Sequence, residues 1–246
     1  MNIILLEPSD WLSDDTVLLT GRRHQHLREV LRAQIGDSFR VGLLNGGRGA
    51  GKVIHINESE ARLNVSLNQT ALPRHPCDLV LALPRPKMLR RVLRTVAEMG
   101  VNNIHLIHSA RVEKSFWQTP LLTADRIQRA LSAGLERAGD TQLPAVHLHR
   151  RFRPFVEDQL PEMVTDRGCW IAHPGSEIGL GDQRAEGIIM LGPEGGFVPF
   201  ELELATSVGA LPVHLGDRTL SVDTAVTEAL AQTHAVARVC LLPRTH

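Results

Sequence analysis

Lysine is almost missing from this 246-residue chain: it stands only at positions 52, 87 and 114, and 24 of the 27 basic residues are arginine. Net charge is missing too, since Asp and Glu also number 27. That balance excludes nucleic-acid binding by bulk charge and leaves only local patches. The arginine bias suits phosphate, which a flat forked donor grips well. Cysteine is scarce. Cys77, Cys169 and Cys240 are odd in number and far apart, so no CxxC pair or disulfide framework can be read from them, as expected in a reducing cytosol. Long apolar runs are absent: none approaches the ~20 residues that a membrane span needs. The opening "MNIILLEPSDW" lacks the basic start and long apolar core of a signal peptide. These absences predict a soluble, cytoplasmic protein with no membrane partner. What is there, 43% apolar and 22% charged residues, excludes fibrous and disordered classes and fits one or two domains.

Residues 1–70 are β-rich. "NIILLE", "TVLLTG", "SFRVGLL", "GKVIHIN" and "ARLNVSL" are short apolar or alternating runs broken by turn residues, as in a small barrel. One helix interrupts them, "HQHLREVLRAQIGD", with Leu27, Val30 and Leu31 expected on its inner face and Gly36 as its stop. The segment 70–78, with two prolines, reads as a linker. Beyond it strands and helices alternate to the end of the chain. "PKMLRRVLRTVAEMG" has Pro86 near its start and Gly100 just past its end. Such alternation predicts a parallel sheet with helices on both faces.

Four features could carry chemistry. "GGRGAGKV" (46–53) fits the frame of a phosphate-binding loop, but Val53 replaces the metal-binding hydroxyl and a strand pattern follows instead of a helix, so a glycine hairpin is expected. The histidine pairs 24/26, 105/108 and 147/149 have no third ligand in view, and no metal site is expected. Basic residues concentrate at 21–52, where seven face two acids, and at 85–94, where five face none. Arg28 and Arg32, four apart on the expected helix, would share a face. Placed on a small barrel and the next helix, this charge favours RNA over a merely solvated surface. The strongest feature is "IIMLGPEGGF" (188–197): an apolar strand, then Gly192, Gly195 and Gly196, then a helix. The next strand ends likewise in "LGDRTLS", with Gly216 and Arg218. Ligands of open α/β sheets sit at the carboxyl ends of strands. Two such loops, expected side by side, suit a nucleoside-containing cofactor, although the spacing is not that of a dinucleotide site.

"LGPEGGF" (191–197) followed by "LGDRTLSVDTA" (215–225) resembles the C-terminal motif pair of RsmE-type 16S rRNA (uracil-N3)-methyltransferases, members of the SPOUT superfamily. "HLREVLRAQIGD" (26–37) is similar to the family's N-terminal stretch, and 86–113 to its helix–strand segment, including Lys87, Glu98, Gly100 and the Ser109–Arg111 turn. The resemblance implies an α/β fold: a PUA-like RNA-binding β-barrel at 1–71 and a knotted, parallel-sheet SPOUT methyltransferase domain at 72–246. It implies S-adenosylmethionine as cofactor, a homodimer, and 16S rRNA or the small ribosomal subunit as partner. The expected cofactor cradle is Leu191, Gly192, Gly195, Gly196, Leu215, Gly216 and Leu220. Arg218 is expected to stabilise a uracil anion, with Asp223 or Glu194 orienting it or taking its proton. Arg22, Arg28, Arg32 and Lys87 are expected to contact RNA.

The sequence departs from the family pattern twice. In place of Glu-Gln-x-x-Arg it has "ERAGD" (136–140), and in place of Leu-Arg-x-Glu-Thr-Ala it has "LSVDTA" (220–225), with Ser221 where the family has Arg. The missing arginine keeps a rival reading open, a catalytically idle RNA-binding protein that retains the knot; a third is methylation at another rRNA position. The closing helix, with Ala225, Ala229 and Ala237 among Val222, Val226 and Leu230, is expected to supply the dimer face.

Overall fold

The structure is a computed structural model that describes residues 1–183 and 186–241, with side chains described as far as residue 234. The chain forms two compact units: Met1–Pro73 with Ser132–Leu143, and Arg74–Leu131 with Pro144 onward. The expected single boundary after residue 71 did not anticipate that 132–143 clusters with the first unit.

The first unit is a five-stranded curled sheet of β1 (Ile4–Leu6), β2 (Thr16–Leu19), β3 (Ser38–Leu43), β4 (Arg48–Ile56) and β5 (Ala61–Gln69), ordered β1-β3-β4-β5-β2. Only β1 and β3 run parallel. Period-two patterning sends Ala61, Leu63 and Val65 inward, where they meet Val53, Val41, Leu6 and Leu19 in one apolar cluster. The glycine-rich stretch is the β3–β4 hairpin that its composition suggests. Gly51 sits within β4, where a Cβ would come within 2.9 Å of both Leu63 and Val41, so a glycine is needed for the close packing.

The helix of this unit differs from its expected form. It runs as α1 (Gly21–Gln25) and widens into a turn over His26–Val30, then stops where Arg32 enters the left-handed region at φ 51°. Gly36, at φ 99°, serves instead the turn into β3. Leu27 is fully buried, but Val30 and Leu31 are 65% and 40% exposed. Arg28 and Arg32 therefore do not share a helical face. The wide turn at His26–Val30 and the left-handed stop at Arg32 break the helical period, so Val30 and Leu31 do not follow Leu27 into the core.

The second unit is a six-stranded, wholly parallel sheet: β6 (Cys77–Ala82), β7 (Asn103–Ile107), β8 (Ala145–His149), β9 (Gly168–Ala172), β10 (Gly187–Leu191) and β11 (Leu211–Val213), ordered β11-β9-β10-β6-β7-β8. The central strands β6 and β10 are buried along their whole length, as parallel strands covered on both faces must be. Helix α2 (Pro86–Glu98) buries Leu89, Val92, Leu93, Val96 and Ala97, and ends where Gly100 takes φ 75°. α3 spans Ala124–Ala138. α4 (Phe152–Pro154) and α5 (Leu160–Met163) are joined by a wide turn at Phe155–Gln159. α6 (Pro199–Ser207) follows β10, and α7 (Val222–Leu241) is the last described element, packing on α2 and β10. Among the described residues no helix is long and apolar enough to cross a membrane.

Ala229 is fully buried within its own chain, as are Val226 and Leu230. The expected use of Ala229 at a dimer face is thereby corrected: its small side chain lets α7 lie close on its own unit. Ala237 lies outside the residues whose side chains are described.

Candidate active site

The sheet order decides how the strand-end loops meet. β10 and β11 are not neighbours, because β9 lies between them. The two loops expected side by side are therefore separated by a third, His173–Ser176, which follows β9. Together the three enclose a cleft of about 450 Å³ lined by Ala172–Ser176, Leu191–Glu194, Gly196, His214–Leu220, Val222 and Ala225. Its walls combine buried apolar side chains, Leu191 and Val222 among them, with backbone of the loops. A cleft of this size and composition is what small-molecule sites present. The β9 loop was overlooked in sequence although "WIAHPGS" carried the signal, an apolar strand running into Pro and Gly.

Of the expected cradle, Leu191, Gly192, Gly196, Leu215, Gly216 and Leu220 line the cleft; Gly195 does not. A Cβ on Gly195 would stand 3.0 Å from Cδ of Arg111, whose guanidinium donates to the Gly195 carbonyl. Gly196, by contrast, holds φ 71° with nothing within 4 Å of the Cβ position, and Gly216 holds φ 117° with the same open space. The loop between β10 and α6 is pinned from behind by Glu201, 3% exposed, which accepts from the backbone N–H of Val198 at 3.0 Å and of Ala110 at 2.7 Å. Sequence reading passed over Glu201; its signal is an acid at the third residue of a helix opened by Pro199.

The three expected catalytic residues occupy different environments. Arg218 lines the cleft, is exposed, and makes no hydrogen bond or ion pair with a described residue. Glu194 also lines it, with Arg85 Nε 3.6 Å from its Oε1. Asp223 stands behind the wall with both oxygens engaged: Oδ1 accepts from Ser221 Oγ at 2.6 Å and Oδ2 from Arg91 Nη1 at 2.8 Å. The Ser221 hydroxyl, then the Arg91 guanidinium, hold its carboxyl below the usual carboxylate range. A carboxylate so occupied is a poor proton acceptor, and that part of the expectation for Asp223 is corrected.

The family model for the RNA methyltransferase domain matches residues 71–234. A ribosomal RNA small subunit methyltransferase E from Synechocystis sp. is 30% identical over 243 residues, spanning 94% of this chain and 77% of the relative. The chain belongs to the ribosomal RNA small subunit methyltransferase E family. A second member of that family, from Treponema pallidum, is 29% identical, spanning 97% of this chain and 94% of its own. A crystal structure of a methyltransferase E from Neisseria gonorrhoeae bound to S-adenosyl methionine matches with a TM-score of 0.75 at 22% identity, covering 96% of this chain and 98% of that one. The likeness bears out the expected fold class, an α/β SPOUT fold with a small β-barrel domain.

None of the expected RNA contacts is among the residues that line the cleft. Arg22 is already engaged: its guanidinium grips Glu136 with two bonds, 2.9 and 2.5 Å, and Glu136 is 8% exposed. The altered segment 136–143 is tied to the first strand and the hairpin by Asn2 N–H to the Glu136 carbonyl at 2.7 Å, Asn45 N–H to the Thr141 carbonyl at 2.8 Å, and Leu143 N–H to Asn45 Oδ1 at 2.9 Å. Arg28 donates to the Glu58 carbonyl at 3.1 Å on the surface, and Arg32 and Lys87 are exposed.

Proposed function

We propose that this chain is an S-adenosylmethionine-dependent methyltransferase that methylates N3 of a uridine in 16S rRNA of the small ribosomal subunit, acting in the cytoplasm as a homodimer. The observation that carries the reading is the three-loop cleft lined by the Arg218 guanidinium, which pairs with none of the described residues. The crystal structure with bound S-adenosyl methionine and the names of the bacterial relatives support the cofactor and the substrate class.

The cleft fits the cofactor. Its volume of about 450 Å³ lies within the ~300–1,000 Å³ of small-molecule sites. Apolar side chains at Leu191, Leu215, Leu220 and Val222 suit an adenine and a methylene chain, and the open space beside Gly196 and Gly216 leaves backbone accessible to polar groups. The bound cofactor supplies an electrophilic methyl group on a sulfonium. The protein's part is chiefly alignment: holding donor and ring nitrogen in line is worth up to ~7–11 kcal/mol of barrier. Arg218 faces charge that develops on the uracil carbonyls as the N3 proton leaves, the role of a fixed cation in transition-state stabilisation. Glu194, the carboxylate at the cleft edge, takes that proton. Arg28, Arg32 and Lys87 bind phosphates of the RNA.

Isothermal titration with S-adenosylmethionine tests the reading at its root. Saturable binding at one site per chain is expected, lost when the cleft is closed by Gly196→Val. Absence of binding by the native chain would overturn the assignment in favour of an idle RNA binder.

A further inference from the structure

Helix α2 carries cations to both sides of the cleft. Arg85, just before its first turn, reaches Glu194 on the loop after β10, and Arg91, six residues on, reaches Asp223 in the first turn of α7. The second contact is the tighter, at 2.8 Å against 3.6 Å, and its carboxylate is the more buried, 17% against 41% exposed. Asp223 also receives the Ser221 hydroxyl, which in turn lies 2.9 Å from Thr224 Oγ1. Arg91, Ser221, Asp223 and Thr224 thus form one connected network around the start of α7.

That start is part of the cleft. Leu220, Val222 and Ala225 all line it, so the network holds the backbone from which one cleft wall projects. Asp223 sits where a helix N-terminus favours negative charge; Ser221 holds one of its oxygens from the same turn and Arg91 holds the other from α2. The neighbouring position that could supply a cation from within the same turn is 221, and it is Ser. The cation comes from α2 instead, across the helix pair.

We propose that Arg91 is a positioning residue of the cofactor cleft: through Asp223 it clamps the first turn of α7 to α2, and so fixes the wall formed by Leu220, Val222 and Ala225. The role rests on the cofactor reading of the cleft. It is a role in geometry more than in overall stability, because the Arg91 side chain is 62% exposed and ion pairs of that exposure add little to folding.

The test compares S-adenosylmethionine titrations and melting temperatures of four full-length proteins: native, Arg91→Ala, Arg91→Lys, and Arg91→Ala with Ser221→Arg. Arg91→Ala should bind the cofactor about five- to tenfold more weakly, the range of a modest coupling between neighbouring sites, while its melting temperature without cofactor stays at the native value. Arg91→Lys should keep most of the affinity. Returning a cation to the turn with Ser221→Arg should restore binding to the Arg91→Ala protein. In methyl transfer the loss should fall on KM for the cofactor and largely spare kcat. Native affinity in Arg91→Ala would overturn the inference alone, as would a fall in cofactor-free melting temperature that accounts for the whole loss of binding. No binding by the native chain would overturn the cofactor reading and the inference with it.

Discussion

Two adjacent glycines of the β10–α6 loop should respond unequally to the same added methyl group. Gly196 holds φ 71°, with nothing within 4 Å of the Cβ position. Alanine there meets no atom; its cost is the left-handed backbone, about 1–2 kcal/mol. For a chain of this length that corresponds to a melting temperature lower by roughly 2–8 °C. The strain is relieved if the turn closed by the Gly196 N–H on the Pro193 carbonyl at 2.8 Å opens. Opening it moves Gly192, Pro193 and Glu194 out of the cleft wall, so cofactor affinity should fall together with stability. Gly195 is not among the glycines with positive φ, and a Cβ on it would face the Arg111 side chain at 3.0 Å. That long side chain can give way, so Gly195→Ala should cost little stability and leave cofactor affinity near native. Thermal melts and isothermal titration on the two variants decide the matter. The reverse order, with Gly195→Ala the more harmful to binding, would refute the placing of this loop against the ligand.

Truncating Arg22 strands the Glu136 carboxylate in a largely buried place; Arg22→Ala should cost about 1–2 kcal/mol in urea denaturation, less than a fully buried pair because its own side chain is 66% exposed, and adding Glu136→Gln should recover part of it. His105, packed against His147 and His149 and hydrogen-bonded to His149 at 3.0 Å, is pushed down to about 4 by burial and then by those two neighbours. Its unfolded value is near 6.5, so the unfolded chain takes up the extra proton between the two values. Its contribution should be complete above pH 6.5 and decline as pH falls towards 4, and His105→Gln should flatten that acid limb of stability. Arg28→Ala and Arg32→Ala should each lower the slope of log affinity for RNA against log salt by ~0.7–0.9, whereas Arg22→Ala should leave the slope unchanged, its guanidinium being spent on Glu136.

Much of the fold was legible because each unit follows one period. Alternation along "ARLNVSL" marked an inward face that the barrel does bury, and Pro86 and Gly100 bracket α2 as their backbone preferences require. Strand order was not legible. Nothing local in "IIMLG" or "PVHLG" says that β9 comes between them, because parallel neighbours are chosen by long-range packing. Hence two cleft loops are legible in sequence and the third, at His173–Ser176, is not. Positions on the chain also hid partners: Arg22 and Glu136 are 114 residues apart, Arg91 and Asp223 132 apart, and both ion pairs change what the charges are free to do. Near residue 30 apolar periodicity continues past the point where Arg32 turns left-handed, so periodicity alone places the helix end too late.

The central claim, cofactor-dependent methylation of small-subunit rRNA, is tested most directly by the product. The chain is incubated with methyl-labelled S-adenosylmethionine and either naked 16S rRNA or assembled small subunits that lack the modification, and the RNA is digested to nucleosides for mass spectrometry. The account predicts label in 3-methyluridine, one S-adenosylhomocysteine released per methyl transferred, and loss of both with Arg218→Ala. Label in a ribose 2′-O-methyl nucleoside, or none in either substrate, would contradict it.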